Sequence, residues 1–400
     1  MIKKTILGLL GVAISAGALT GCEKLTESIK TVAIDPKSST DSIKAKAATT
    51  ELTGKLVINP QFDKANDFHE GLAAVRVGDE KSGKWGVINR HGSMVISPQF
   101  GYIDHFNSGL AAVQVGDNKT GKWGFINIQG NLVINPQFDH ARAFVEGLSA
   151  VRIGDDKTGK WGFVDINGKL VITPQFDYAA DFSDGLSRIV IGNFNVGKWG
   201  FIDKLGRFVI NPQFSFANSF SDAIAPVKIG DDDNGKWGFV DKQGKIVINP
   251  QFFHANIFSD GLAPVRIGNW ESGKSGFIDK QGLITINPQF DEVGPFSEGV
   301  APVRIGDYKT GKWGFIDKKG KMIINPKFRD LNLFIQTYKF SSGLAAVPLG
   351  EGEKETWGYI DTEGKITIQP QFSYAYDFSD GLARVRIGGE STGKWGYISR

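Results

Sequence analysis

The sequence predicts an all-β protein built from nine tandem repeats of 38 residues. The triplet Pro-Gln-Phe, once changed to Pro-Lys-Phe, occurs nine times at a spacing of 38 residues, apart from one interval of 44. The sequence Lys-Trp-Gly-aromatic recurs with the same period. A fixed period of roughly 20–50 residues is typical of propellers, solenoids and arrays, whose units must stack to bury their apolar faces. The prolines are Pro60, Pro98, Pro136, Pro174, Pro212, Pro250, Pro288, Pro326 and Pro370.

The N-terminus has the features of a secreted lipoprotein. Lys3 and Lys4 precede a mostly apolar run of 15 residues, 5–19, which is shorter than a bilayer-spanning helix of about 20. Residues 1–21 are therefore predicted to be a signal peptide. Residues 19–22, Leu-Thr-Gly-Cys, resemble the lipobox of bacterial lipoproteins. The resemblance implies cleavage before Cys22 and a lipid on Cys22 that holds the protein at a membrane.

Residues 22–53 are predicted to be the lipidated cysteine followed by a flexible tether. The segment is rich in Lys, Glu, Ser, Thr and Ala and contains no aromatic residue, a composition that cannot form a packed core. Loss of two lysines with the signal peptide lowers the formal net charge from +3 to +1, which gives no support for a nucleic-acid partner. Cys22 is the only cysteine, so the repeats contain neither disulfides nor a catalytic thiol.

The apolar pattern of each unit predicts a three-stranded antiparallel meander. Residues 71–78 are predicted to form a strand with Ala73, Val75 and Val77 on one face and Arg76 on the other, and residues 84–89 form a second strand after a polar loop. Residues 89–92 match a tight turn that ends in glycine. A third strand, such as residues 131–135, ends at Pro136, which cannot donate a ladder hydrogen bond.

A connecting arm follows each third strand; the sequence leaves its secondary structure open, and a short helical turn is one possibility. The repeat domain, 54–400, begins with a third-type strand at 55–62 and ends with a second-type strand at 394–400. The two ends are therefore able to pair, and a propeller-like ring is favoured. An open β-solenoid or superhelical array is the alternative, because propellers usually have four to eight blades.

The motif Lys-Trp-Gly-Phe-Ile-Asp/Asn-x-x-Gly-x-x-Val-Ile-Asn-Pro-Gln-Phe resembles the WG repeat, also called the KWG repeat. The resemblance covers residues 54–400, with departures at Ser275, which replaces Trp while Trp270 lies nearby, and at Thr356, which replaces Lys. It implies a β-rich repeat with a binding or interaction role and no defined catalytic site.

A row of basic residues recurs on the outward face of the first strand of six units. A stacked row would attract an anionic glycan or another polyanion. The favoured alternative is internal pairing with the turn acids of the same units, such as Glu70 and Glu146. The row comprises Arg76, Arg152, Lys228, Arg266, Arg304 and Arg386. The lysine before each Trp is expected to be solvated, and the Trp row itself is expected to lie in the core.

One insertion interrupts the repeat between Phe328 and Phe340. It includes Leu333, Phe334 and Tyr338, and insertions in repeat proteins often lie on the binding face. Contact with a partner is therefore one interpretation. Local packing, with a short extra helix at one edge, is the other.

No catalytic residue, cofactor or metal site is predicted. The histidines lack ligand spacing, and nucleophile-elbow, P-loop and dinucleotide motifs are absent from the sequence. The sequence therefore predicts a lipid-anchored binding or scaffold module of the bacterial cell envelope, facing the periplasm or the exterior. Its expected partner is a protein or an envelope polysaccharide. A structural spacer without a ligand and, less favoured, a glycan-acting enzyme are the alternatives.

Overall fold

The computed structural model describes residues 54–400, apart from 118–119, 193–195, 232–233, 330–337, 350–355 and 390. The predicted signal peptide, Cys22, the tether, Leu333 and Phe334 lie outside the described residues. Within them, no helix is long and apolar enough to cross a membrane. All regular secondary structure in this part of the chain is β-strand.

The strands of the first four repeats are β1 (Leu56–Phe62), β2 (Lys64–Ala65), β3 (Leu72–Val77), β4 (Lys84–Asn89), β5 (Met94–Phe100), β6 (Tyr102–Ile103), β7 (Leu110–Val115), β8 (Lys122–Asn127), β9 (Leu132–Phe138), β10 (His140–Ala141), β11 (Leu148–Ile153), β12 (Lys160–Asp165), β13 (Leu170–Phe176), β14 (Tyr178–Ala179), β15 (Ser187–Ile191), β16 (Lys198–Ile202) and β17 (Phe208–Phe214). Those of the remaining repeats are β18 (Phe216–Ala217), β19 (Ile224–Ile229), β20 (Lys236–Asp241), β21 (Ile246–Phe252), β22 (His254–Ala255), β23 (Ala263–Ile267), β24 (Lys274–Ile278), β25 (Ile284–Phe290), β26 (Glu292–Val293), β27 (Val300–Ile305), β28 (Lys312–Asp317), β29 (Met322–Arg329), β30 (Leu344–Pro348), β31 (Trp357–Asp361), β32 (Ile366–Phe372), β33 (Tyr374–Ala375), β34 (Leu382–Ile387) and β35 (Lys394–Ser399).

These strands form nine antiparallel sheets, or blades, in the described part of the chain. The first seven blades each contain four strands in chain order, from β2–β5 to β26–β29, and the eighth contains β30–β32. The expectation of three strands per unit was therefore incomplete. The arm after Pro-Gln-Phe, whose structure the sequence left open, contains a two-residue strand instead of a helical turn, in which Lys64 lies opposite Arg76. Two residues are too few to show an alternating pattern, so this strand has no signal in the sequence.

The ninth blade is built from both ends of the repeat domain. Its strand order is β1-β35-β34-β33, so the first strand of the domain completes the last blade. Leu56 lies opposite Ile398 and Phe62 opposite Trp395. The Ser399 amide donates to the Lys55 carbonyl at 3.0 Å. The repeats therefore close into a nine-bladed β-propeller, which confirms the favoured ring over the open array.

The hydrophobic core lies between the blades. Val87 and Ile96 of the first blade pack with Ile103, Phe106 and Val113 of the second, and none of the five is more than 4% exposed. Full burial of such a side chain contributes roughly 1.5–3 kcal/mol. Because corresponding layers recur between other neighbouring blades, each blade owes most of its stability to its neighbours.

The turn glycine between the second and third strands has two structural reasons. Gly92 has a φ of +77°, a backbone conformation that residues with a side chain rarely adopt. A Cβ atom there would lie 3.1 Å from the Ile58 side chain of the preceding blade. The Gly92 amide donates to the Asn89 carbonyl at 2.9 Å, as the sequence predicted for this turn.

The turn acids link neighbouring blades and do not pair with the basic row. Glu70 accepts hydrogen bonds from the backbone amides of Ser108 and Gly109 in the next blade, at 2.8 and 2.9 Å. Asp380 accepts a hydrogen bond from the Gly71 amide across the closing interface, at 2.8 Å. The predicted pairing with arginines was therefore wrong, because each acid stands at a turn with positive φ that directs it to the adjacent turn. Equivalent bonds join Glu146 to Gly185, Asp184 to Ala223, Asp260 to Gly299 and Glu298 to Gly343.

Closure through β1 is tested by a matched pair of substitutions. Ile58 in β1 and Ile172 in β13 hold the same repeat position and are each 3% exposed. We expect Ile58→Ala and Ile172→Ala to lower the free energy of unfolding by similar amounts, about 2–5 kcal/mol, because each leaves a cavity between two blades. Denaturant titration followed by Trp fluorescence measures both. A full effect of Ile172→Ala with none from Ile58→Ala would show that β1 does not close the ring in solution.

Candidate binding groove

Four repeat positions lie side by side at one level of the blade. In the first blade, Arg76 of β3 lies opposite Lys64 of β2 on one side and opposite Trp85 of β4 on the other. Trp85 in turn lies opposite Phe100 of β5. The basic row and the Trp row, which the sequence shows separately, are therefore neighbours in space.

An aromatic belt follows this level from blade to blade. The rings of Trp85 and Tyr102 have centroids 5.1 Å apart, and those of Tyr102 and Trp123 are 5.8 Å apart. Trp123 stacks on His140 of the third blade at 5.0 Å. The belt continues through Trp161, Tyr178, Trp199, Phe216, Trp237 and His254. Its Trp residues are buried, as predicted.

Every second ring of the belt was missed by the sequence analysis. These rings stand two residues after the Phe of each Pro-Gln-Phe, and they carry a signal at the 38-residue period. The signal was overlooked because the residue type varies among Tyr, Phe and His. Lys64 and Glu292 take the position in the first and seventh blades. The residues concerned are Tyr102, His140, Tyr178, Phe216, His254 and Tyr374.

A groove of about 1020 Å³ opens along the belt across the first three blades. It combines ring edges with cations and hydrogen-bonding groups, and acidic side chains border it at Glu80, Asp104, Asp139, Asp155 and Asp156. The side chains central to its chemistry are Arg76, Trp85, Tyr102, Gln114, Trp123, His140 and Arg152. Such a surface suits a ligand with both apolar faces and polar groups.

The groove is centred on two departures of the second blade from the repeat. Gly101 stands where the first and third blades have Asp63 and Asp139, and Gln114 stands where they have arginines. Gly101 and Gln114 both line the groove. The groove therefore opens where one carboxylate side chain is absent and one arginine is replaced by the shorter, neutral Gln114.

In other blades that aspartate is held by a recurring clamp, made of a lysine ammonium and a glycine amide. Asp139 accepts from Lys122 Nζ at 2.6 Å and from the Gly154 amide at 2.8 Å. Burial raises the pKa of Asp139, but the bonds from Lys122 and Gly154 outweigh it and hold the pKa below its ordinary value. The sequence predicted that the lysines before the Trp row are solvated. This holds only in part, because Lys122 also bonds to Asp139. The same clamp holds Asp63, Asp177 and Asp291.

Between the first and second blades, the donors of the clamp are retained without its carboxylate. Lys84 and Gly116 stand one repeat before Lys122 and Gly154. Within the described residues, neither the Lys84 ammonium nor the Gly116 amide has a hydrogen-bond or ion-pair partner. Arg76 forms no ion pair in this part of the chain, and its Nε is buried without an acceptor.

The remaining members of the basic row have different surroundings. Arg152 lies in the groove and pairs with Asp156 at 2.5 Å. Arg304 is buried and pairs with Glu292 at 2.8 Å, and Arg386 contacts Ser373 Oγ at 3.3 Å. The structure therefore brings Arg76 and Arg152 to the groove, whereas Arg304 and Arg386 serve contacts elsewhere on the ring.

Arg266 compensates for the missing Trp of the sixth unit. It is buried, and its guanidinium donates to Ser275 Oγ at 3.2 Å and to the Trp270 carbonyl at 3.0 Å. It also lies 5.4 Å from the centroid of the Trp270 ring. The departure at Ser275 is thus filled from within the protein.

Of the three candidate contact residues in the insertion, Leu333, Phe334 and Tyr338, the structure describes only Tyr338. It is buried, its hydroxyl donates to the Arg329 carbonyl at 2.5 Å, and its ring packs near Trp313 and Phe328. This position favours local packing over partner contact for Tyr338.

A second group of charges lies just beyond the two-residue strands. Asp67 pairs with Arg384 at 2.7 Å. Burial raises the pKa of Asp377 to about 7, while the Lys339 charge opposes the shift and the Asp67 charge adds to it. In the described chain, no group of three or more His, Cys, Asp or Glu side chains is placed to hold a metal ion.

Comparison with known proteins identifies the repeat. A model of the WG-containing repeat family matches nine segments of the chain, and the comparison with curated proteins finds no match. The matched segments are residues 52–80, 85–119, 123–157, 161–193, 199–231, 237–269, 276–308, 313–350 and 357–395.

The chain is also similar in structure to solved proteins of low sequence identity. A eukaryotic initiation factor matches with a TM-score of 0.58 and 11% identity, over 83% of this chain and 94% of that chain. Pyrococcus horikoshii acylaminoacyl peptidase gives a TM-score of 0.38 and 12% identity, over 75% and 57%. A prolyl endopeptidase gives 0.42 and 10%, over 76% and 53%. The first similarity shows a shared fold, and the other two carry no conclusion.

Asp377 predicts a pH dependence of stability. Its pKa is higher in the folded protein than the unfolded value of about 3.9, so folding is penalised as pH rises from about 4 to 7 and the penalty stays constant above. We expect Asp377→Asn to raise the melting temperature at pH 8 and to change it little at pH 4. Glu363→Gln, at an exposed turn position, is the control and should give no pH-dependent difference. An equal effect of Asp377→Asn at both pH values would contradict the raised pKa.

Proposed function

The chain belongs to the WG-containing repeat family, and we propose that it is a lipid-anchored binding module of the bacterial cell envelope. A closed propeller of tandem repeats indicates a binding or scaffold module. The finer proposal is that the module faces the periplasm or the exterior. There it holds an envelope polysaccharide or protein in the groove of its first three blades.

The groove carries this proposal because it is a departure from the repeat. A residue that recurs in most blades is explained by blade packing, whereas Gly101 and Gln114 differ from their equivalents in the neighbouring blades and lie where the cavity opens. Arg76, which also lines the groove, forms no ion pair within the described residues, so its charge is available to an anionic group of a ligand.

The anchor is proposed from the sequence of the first 22 residues. A basic start, an apolar run of 15 residues and the tetrapeptide ending in Cys22 together favour export and lipidation. The polar segment 23–53 would then connect the ring to the membrane surface as a flexible tether.

A glycan-acting enzyme is less favoured than a binding module. Glycoside hydrolysis requires one carboxyl group that stays protonated and a second that is ionised. In the groove, Asp139 is held ionised by Lys122, and Asp156 is paired with Arg152. We therefore propose no catalytic residue, cofactor or resident metal for this protein, and no nucleic-acid partner.

Substitution of Cys22 tests the anchor. We expect Cys22→Ser to move the protein from the membrane fraction to the soluble extracytoplasmic fraction, because the lipid would have no sulfur to attach to. Fractionation of cells followed by immunoblotting measures this shift, with Ser93→Ala as a matched substitution that should leave the protein in the membrane fraction. Retention of the Cys22→Ser protein in the membrane would defeat the lipoprotein proposal.

A binding assay with envelope material distinguishes a binding module from a structural spacer that has no ligand. The chain without residues 1–21 and with Cys22→Ser should bind either purified envelope polysaccharide or solubilised envelope proteins in a saturable manner. Biolayer interferometry with each fraction in separate channels measures this, and heat-unfolded protein is the control. Absence of saturable binding in both channels would favour the spacer, and release of reducing sugar from the polysaccharide would favour the enzyme.

A further inference from the structure

We infer that the second blade binds a carboxylate of the ligand in the place where other blades hold their own aspartate. We further infer that the ligand is a polysaccharide that contains uronic acid. Both steps rest on the proposed function and specify the chemistry that the groove recognises.

The clamp is a carboxylate-binding site. It occurs four times in this protein, each time filled by an aspartate of the protein itself. Asp63, Asp139, Asp177 and Asp291 each accept from a lysine ammonium at 2.5–2.6 Å. Each also accepts from a glycine amide at 2.8–2.9 Å. These are short, charge-assisted hydrogen bonds, which are among the stronger ones in proteins.

The site at Gly101 has both donors and no occupant. Lys84 of β4 in the first blade is exposed, and Gly116 of the second blade directly follows β7 with an amide that has no acceptor within the described residues. Gly101 supplies no side chain at the aspartate position and lines the groove. Arg76, which belongs to the first blade like Lys84, adds a positive charge and lines the groove as well.

Other blades without the aspartate fill its position with a different side chain. Ser215 in the fifth blade and Ser373 in the ninth donate their hydroxyls to strand carbonyls at 3.0 and 3.1 Å. In the sixth blade, Phe253 lies 5.9 Å from the Lys236 ammonium and contacts the Trp270 ring. In the eighth blade the position is taken by Arg329. Among the five blades without the aspartate, only the second leaves the position without a side chain, and the groove of about 1020 Å³ lies there.

The surroundings favour an isolated carboxylate on a sugar chain. Five acidic side chains border the groove, which would repel a densely charged polyanion. The edges of Trp85, Tyr102 and Trp123 offer apolar contact, and Gln114 and the acids offer partners for hydroxyl groups. Because the groove continues from Gly101 into both the first and the third blade, it suits a carboxylate within a chain better than one at the end of a peptide.

Binding of a defined oligosaccharide tests the inference. The probes are trigalacturonate, its methyl ester as the neutral match, and a short peptide with an internal aspartate. For the chain without residues 1–21 and with Cys22→Ser, we expect trigalacturonate to bind, and both other probes to bind at least about tenfold more weakly, which corresponds to the loss of one charge-assisted interaction. Calorimetry measures the affinities, and the Gly116 amide signal should shift in NMR spectra only with trigalacturonate.

Three variants locate the site. Lys84→Met and Arg76→Met should each weaken trigalacturonate binding about tenfold or more. Lys198→Met is the matched control, because Lys198 holds the repeat position of Lys84 while Ser215 holds the repeat position of Gly101 that follows it; it should leave the affinity unchanged. Gly101→Asp should abolish binding by supplying an internal carboxylate. Its melting curve must be checked first, since a Cβ there lies 2.7 Å from the Gly116 carbonyl oxygen.

Several results would overturn the inference while leaving the proposed function intact. They are saturable binding of envelope polysaccharide that Lys84→Met and Arg76→Met do not weaken, tighter binding of the ester or the peptide than of trigalacturonate, and an equal loss from Lys198→Met. Absence of trigalacturonate binding would also overturn it. If no envelope polysaccharide or protein binds at all, the proposed function fails first.

Discussion

The pairing of β1 with β35 is the constraint on which the whole ring depends. Each blade buries its apolar faces only against its neighbours, so an open array would leave one face exposed at each end. The closing interface repeats the contacts of the interior ones: Lys394 Nζ contacts Asp63 at 2.5 Å, and the Tyr397 hydroxyl donates to the Asn66 carbonyl at 2.7 Å. Closure therefore buries both exposed end faces through the same kinds of contact that join the other blades.

Repetition also separates structural residues from functional ones. A position that serves every blade is occupied by whatever packing requires, as with the turn glycines and the buried Trp residues. Two departures show different outcomes. At Ser275 the space left by the missing Trp is filled by Arg266 from the same blade, whereas Gly101 leaves its own position without a side chain and lines a groove. The proposed recognition rests on the second kind of departure.

The sequence predicted the parts of the fold that depend on neighbours along the chain. Alternation gave the three longer strands, the Asn89–Gly92 turn followed from its residue types, and the complementary ends predicted closure. Contacts between residues one repeat apart were not predictable in the same way. Periodicity shows which side chains share a face, but it does not show that Glu70 reaches the amide of Gly109 or that Lys122 reaches Asp139. For the same reason, Arg76 was identified from its row, while Gly101, whose importance is a missing side chain, was not.

The position of β1 has a mechanical consequence. The chain before residue 54 is joined to the ring through the strand that completes the ninth blade. A pull transmitted along the chain from that side is therefore borne first by the ladder between β1 and β35, before any other blade is loaded. Tension would detach β1 alone and open the ring at a single interface, while β33–β35 of the ninth blade and the other eight blades stay stacked.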